Sequence, residues 1–197
     1  MELVFATQNK NKIAEVQALM PDGIRILSLS DIGCHEVLEE SQPTIEGNAI
    51  QKATYVFKNY GYNCFADDTG LEVDALNGEP GVYSARYAGE ACSAEDNMNK
   101  LLQALNNNSN RNARFKTVIA LFIDERLQCF TGICKGSITK KKMGEHGFGY
   151  DPIFKPEGHR KTFGQMDSIE KNRISHRALA VNQLIDFMNR LSSTSNK

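Results

Sequence analysis

Apolar positions recur along this chain in two rhythms, and the rhythm changes often. Leu3–Ala6 is an unbroken apolar run that predicts a buried strand, after which Ile13, Val16 and Met20 follow at helical spacing up to the stop at Pro21-Asp22-Gly23. Ile24–Leu29 alternates and predicts a second strand, whereas Asp31–Thr44 is polar, acidic and loop-like. Ile45, Ala49, Ala53, Val56, Phe57 and Tyr60 mark one face of a helix closed by Gly61. The next segment, Phe65–Asp74, reads as two short buried strands around a turn at Gly70, and residues 77–90 read as irregular. Ser93-Ala94-Glu95-Asp96 opens a helix that buries Met98, Leu101, Leu102 and Leu105. Ala113–Ile123 and Leu127–Cys134 form a hairpin around Asp124-Glu125-Arg126, followed by a glycine-rich loop, Gly144–Asp151. A last helix begins near Ser175 and is expected to bury Leu179, Leu184, Ile185 and Met188, with a frayed tail over 192–197. Strands and helices alternate in this way, and residues 1–197 are expected to form one domain in two lobes.

Composition narrows the function more than the fold. The 197 residues are 41% hydrophobic and 24% charged, with a net charge of -1, so no overall field draws the chain onto nucleic acid or an anionic membrane. The longest apolar run, Val118–Ile123, is far short of a membrane span, and the start Met1-Glu2-Leu3 lacks the basic flank of a secretory signal. Five scattered cysteines without a CxxC pair read as reduced thiols in the cytoplasm. Four scattered histidines argue against zinc.

Five segments carry candidate chemistry. Asp67, Asp68, Glu72 and Asp74 crowd into eight residues of an otherwise apolar segment, where mutual repulsion calls for a proton or a divalent cation. Neighbours in extended backbone point to opposite faces, so Asp68 can hold metal or take a proton from water while Asp67 plays a supporting part. An upstream carboxylate, Glu39 or Glu40, would complete a magnesium site, because Mg²⁺ usually takes one or two protein carboxylates and fills its octahedron with water and phosphate oxygens. Thr7-Gln8-Asn9-Lys10-Asn11-Lys12, between the first strand and helix, suits a phosphate through exposed N–H groups and lysines, or else merely caps the helix. Gly147-Phe148-Gly149-Tyr150-Asp151 offers rings and a carboxylate to a nucleoside. Ser175-His176-Arg177 places donors at a helix start.

Taken in order, Thr7-x-Asn9-x-x-Lys12, Glu39 with Asn48-Ala49-x-x-Lys52-Ala53, Ala66-Asp67-Asp68-Thr69-Gly70-Leu71, Pro80-Gly81-Val82-Tyr83-Ser84-Ala85-Arg86-Tyr87, Gly147-Phe148-Gly149-Tyr150-Asp151-Pro152-x-Phe154 and Ser175-His176-Arg177 resemble the inosine triphosphate pyrophosphatase, or Ham1-like, family. The resemblance implies an α/β protein with a long, mixed, curved central sheet, helices on both sides, two lobes around a deep cleft, and a homodimer. It implies Mg²⁺-assisted hydrolysis of ITP, dITP and XTP to the monophosphate and pyrophosphate. Carried over by position, Thr7, Gln8, Asn9, Lys10, Asn11 and Lys12, with Lys52 and Lys171, would contact the triphosphate. Glu39 and Asp68 would hold the metal, Asp68 would also accept the proton, and Thr69 would meet the substrate. Phe148, Gly149, Tyr150 and Asp151, with His176 and Arg177, would bind the nucleoside. Two positions depart from the family pattern: Gln8 stands where many relatives have glycine, and Thr69 replaces the commoner serine. A Maf-like pyrophosphatase for pyrimidine or modified nucleotides and a nucleotide sensor without turnover are the rival readings.

Overall fold

The structure, a computed structural model, describes residues 1–90 and 93–194. Its elements are β1 (Glu2–Phe5), α1 (Lys10–Gln17), β2 (Arg25–Leu27), α2 (Ile45–Tyr60), β3 (Cys64–Val73), β4 (Pro80–Gly81), α3 (Ala94–Ala104), β5 (Asn112–Ile123), β6 (Arg126–Ile138), β7 (Phe154–Pro156), α4 (Ser168–Asn172) and α5 (His176–Thr194), with five short 3-10 turns between them. The sheet is mixed, in the order β2-β1-β3-β5-β6-β7, with β4 on β3. Strand β1 pairs in parallel with β2 and β3, while β3 with β4 and β6 with β7 are antiparallel. The α/β class and mixed sheet expected from the family resemblance are the ones observed.

Local chemistry accounts for the boundaries. Thr44 caps α2 by accepting the Gly47 N–H at 2.9 Å, and Gly61 closes it at φ 72°, a left-handed conformation that suits glycine. Ser93 and Asp96 form a reciprocal capping box on α3. Asp124 and Glu125, with φ of 47° and 63°, make the tight turn between β5 and β6.

Three expectations change. Residues 64–73 are one unbroken strand, with Gly70 buried inside it rather than forming a turn, because Leu71 and Glu72 continue straight into pairing with Gly81 and Pro80. Leu179 is 38% exposed, while Val181, Leu184 and Met188 are buried. At about 100° per residue Leu179 lies half a turn from Met188, so the helix presents one to solvent when it buries the other. Helix α5 runs on through Thr194, and the rest of the expected frayed tail, 195–197, lies outside the described residues, as does Cys92. The other four cysteines are free thiols, three of them buried.

The chain divides into two compact units. The first comprises residues 1–68, 117–132 and 177–197, the second residues 69–116 and 133–176. Each has its own core. In the first, Leu3, Phe5, Phe65, Leu121 and Leu184 pack together, with the Phe5 and Phe65 rings stacked at 4.4 Å across the β1–β3 pairing. In the second, Leu101, Phe115, Ile138, Phe154 and Phe163 do so, with Phe115 edge-on to Phe154 at 4.7 Å. Along β3 the chain leaves the first unit at Asp68 and enters the second at Thr69.

Candidate active site

In the first unit the turn from β1 into α1 is held by its own side chains. Asn9 caps α1 by accepting the N–H groups of Asn11 at 3.0 Å and Lys12 at 3.2 Å, and Thr7 accepts the Asn9 N–H. Gln8, Asn9, Lys10 and Asn11 are exposed. Lys12 is not: it turns inward and donates to Asp67 Oδ1 at 2.8 Å, where burial lowers its pKa. Asp67 is fully buried, and its other oxygen accepts from Arg177 Nε at 3.0 Å. Burial alone would raise the pKa of Asp67, but Lys12, Arg177 and Lys52 outweigh it and hold the carboxyl well below the aspartate range. Arg177, also buried, gives Nη1 to Glu15 on α1. Two of the four crowded acids thus pair with protein cations, Asp67 here and Glu72 with Arg114 in the second unit.

Asp68 has different company. Burial pushes its carboxyl up, against the opposing pull of Lys52 and Lys12, and Glu40 adds to the rise while Asn48 donates to Oδ2 at 3.2 Å. Lys52, buried on α2, donates to the Asp67 backbone carbonyl at 2.7 Å and pairs with Glu40. Glu39 is exposed and lines, with Lys52 and Tyr55, a cavity of about 700 Å³. Among the described residues no three His, Cys, Asp or Glu side chains converge as a ready-made metal cage. An all-oxygen donor set with a buried, hard-to-ionise carboxylate nevertheless fits Mg²⁺, which needs few protein ligands and would favour the ionised form of Asp68.

In the second unit the Phe148 loop closes on itself. Asp151 accepts the Phe148 N–H at 2.8 Å and the Lys171 ammonium at 2.6 Å, and Lys171 lies 4.9 Å from the Phe148 ring centre. Lys171, expected on the triphosphate, thus sits among the nucleoside candidates. Gly149 and Gly147 take φ of 63° and 74°. Tyr150 is buried and donates its hydroxyl to the Ser84 carbonyl at 2.8 Å. Ser84 also explains the 80–87 segment, because its hydroxyl accepts the Leu71 N–H and donates to the Gly81 carbonyl, fastening the turn to β3. His176 is buried and stacks on Phe115 at 4.4 Å. Thr69, half-buried, follows Asp68 directly.

The structure thus gathers Lys12, Lys52, Asp67, Asp68 and Arg177 in one unit, and Phe148, Asp151 and Lys171 in the other. Asn48 and Glu15 were missing from the candidate site. Asn48 left a trace: it stands one helical turn before Lys52 on a face otherwise made of Ile45, Ala49 and Val56, where a polar residue needs a partner. Glu15 left none. A model of the Ham1 family matches residues 3–187. This chain is a member of the Ham1 family. Among Ham1 relatives, the dITP/XTP pyrophosphatase of Flavobacterium johnsoniae is 64% identical over 188 residues, covering 95% of this chain and 98% of the relative. That of Porphyromonas gingivalis is 50% identical, covering 95% and 97%. The solved Ham1 protein of Staphylococcus aureus superposes with a TM-score of 0.88 at 43% identity, covering 96% of this chain and 98% of its own. The HAM1 protein of Coxiella burnetii gives 0.89 at 39%, covering 96% and 99%.

Proposed function

We propose that this protein is a nucleoside triphosphate pyrophosphatase that hydrolyses the non-standard purine nucleotides ITP, dITP and XTP to the monophosphate and pyrophosphate, clearing them from the nucleotide pool. The observation that carries the reading is Asp68, a buried carboxylate whose pKa is raised by burial against the pull of the Lys52 and Lys12 ammonium groups. A carboxyl so placed is a better base than an exposed aspartate, and the cations beside it suit an anionic substrate. Asp68 takes the proton of the water that attacks the α-phosphorus. Lys12 and Lys52, with the 7–11 turn, offset charge on the phosphate chain and the departing pyrophosphate. Glu39 and Asp68 would hold Mg²⁺, which when bound supplies charge neutralisation at the phosphate oxygens and a more acidic water. Arg177, held by Asp67 and Glu15, keeps Asp67 and its Lys12 partner in place.

The base is assigned to the Phe148 loop and His176. Phe148 offers a ring to stack, Lys171 with Asp151 fixes that loop, and a donor from His176 suits a 6-oxo group while facing adenine's 6-amino group donor to donor. The working form is a cytoplasmic homodimer of this single domain. The test is a panel of ITP, XTP, dITP, GTP, ATP, UTP and dTTP with Mg²⁺, resolving all products. Monophosphate and pyrophosphate from the first three support the reading. Preference for UTP or dTTP points to the Maf-like activity, binding without turnover to a sensor, and release of single phosphate overturns α-phosphorus attack.

A further inference from the structure

Residues 33–44 contain no helix or strand, yet they carry both upstream carboxylates, Glu39 and Glu40. Two side-chain contacts fix this acidic segment near its start. Gln8, the exposed second residue of the phosphate-candidate turn, donates Nε2 to the Glu36 carbonyl at 3.1 Å. Tyr60, the last residue of α2, donates its hydroxyl to the Glu36 carboxylate at 2.8 Å. Glu36 stays ionised far into acid, its carboxyl lowered to about 2 by its own backbone N–H, the Tyr60 hydroxyl and the Cys34 thiol. Between turn and segment lies a pocket of about 210 Å³ lined by Thr7, Gln8, Val37, Leu38, Glu40 and Lys52.

We propose that Gln8 and Tyr60 are positioning residues that clamp Glu36 from two sides, so that Glu39 and Glu40, three and four residues on, are delivered to the metal and to Lys52 rather than wandering with a loop. A loop without internal structure has many conformations, and each tether removes a share of that freedom before the metal arrives, which lowers the ordering cost of binding. Gln8 therefore acts through its side-chain amide on the acidic segment, and contact with phosphate is not its main task. This inference rests on the proposed role of the 39–40 carboxylates in Mg²⁺ binding.

The experiment compares wild type with Gln8→Ala, Gln8→Glu and Tyr60→Phe by hydrogen exchange over residues 36–41, with and without Mg²⁺, and by the Mg²⁺ dependence of ITP hydrolysis. Losing one net hydrogen bond predicts a Mg²⁺ midpoint raised about 3- to 10-fold in each variant. Exchange over 36–41 should accelerate similarly even without metal, with Gln8→Glu at least as affected as Gln8→Ala because it loses the donor and keeps the shape. Tyr60→Phe is decisive, since Tyr60 belongs to no phosphate candidate. Unchanged exchange in the variants overturns the clamp. Faster exchange with an unchanged Mg²⁺ midpoint, or an effect of Gln8 substitutions on the KM for ITP alone, overturns the positioning role. Exchange that accelerates in the variants but never responds to Mg²⁺ in wild type keeps the clamp and removes the metal reading beneath it.

Discussion

Asp67 meets Lys12 on one oxygen and Arg177 on the other, with all three side chains nearly or fully buried. Replacing it by asparagine leaves two buried cations short of a counter-charge, and Asp67→Asn should lose about 3–5 kcal/mol of stability in urea unfolding at neutral pH. The sign of the pH dependence follows. A carboxyl whose folded pKa lies below its ordinary 3.8 contributes stability that is present above that value and lost as pH falls through the folded one, so wild type and Asp67→Asn should converge only in strong acid. Asp68 has the opposite linkage. Its folded pKa is raised, so its ionised form opposes folding at neutral pH, and Asp68→Asn should be as stable as wild type or more so. The same substitution should cut turnover of ITP by about 10²–10⁴-fold, since it removes the base. Near-normal turnover would remove Asp68 from the mechanism. That the adjacent aspartates meet different surroundings was legible from strand alternation, but their partners were not. Glu15 looks like any solvated helix residue, and its pairing with Arg177 spans 162 positions that no local pattern records.

The loop around Phe148 shows how backbone and charge are matched within one element. Gly147 adopts φ +74°, and a Cβ there would lie 2.0 Å from Asp151 Oδ2, the oxygen that receives Phe148 N–H and Lys171. Gly147→Ala should push Asp151 off both partners and loosen the Phe148 ring, raising the KM for ITP more than it lowers kcat, as steady-state kinetics would reveal. Helix α2 was legible end to end because Thr44 and Gly61 punctuate it and its apolar face keeps period. Strand β3 was misread because glycine signals a turn in most strand contexts, and only its pairing with β4 shows that the chain runs straight. Leu179 was misassigned for a related reason: hydrophobic identity was taken for burial without fixing the helix phase, which Val181, Leu184 and Met188 set.

Over the whole molecule, the first unit is assembled from three stretches of chain and the second from two, so neither is a continuous segment. Helix α5 supplies Ala180, Val181, Leu184 and Met188 to the core that also holds Leu3 and Phe5. Burying the three larger of these side chains contributes about 5–9 kcal/mol, comparable with the entire stability of a typical domain. A chain stopped after His176 should therefore show no cooperative unfolding transition by circular dichroism and should bind a hydrophobic dye. The family motifs were legible because they lie in sequence order, each within a few residues. The division into units was not, because its boundaries cut through β3, β5 and β6 where the apolar pattern continues unbroken.

That division also sets a timetable for the nascent chain. The second unit is begun later, at Thr69, yet its last residue, His176, is joined to the chain before the rest of α5 is made. At about 5–20 residues per second, Arg177–Lys197 takes about 1–4 s more, during which the core around Phe5 lacks the α5 side chains that complete it. Of the two cores, the one begun earlier is the one completed later.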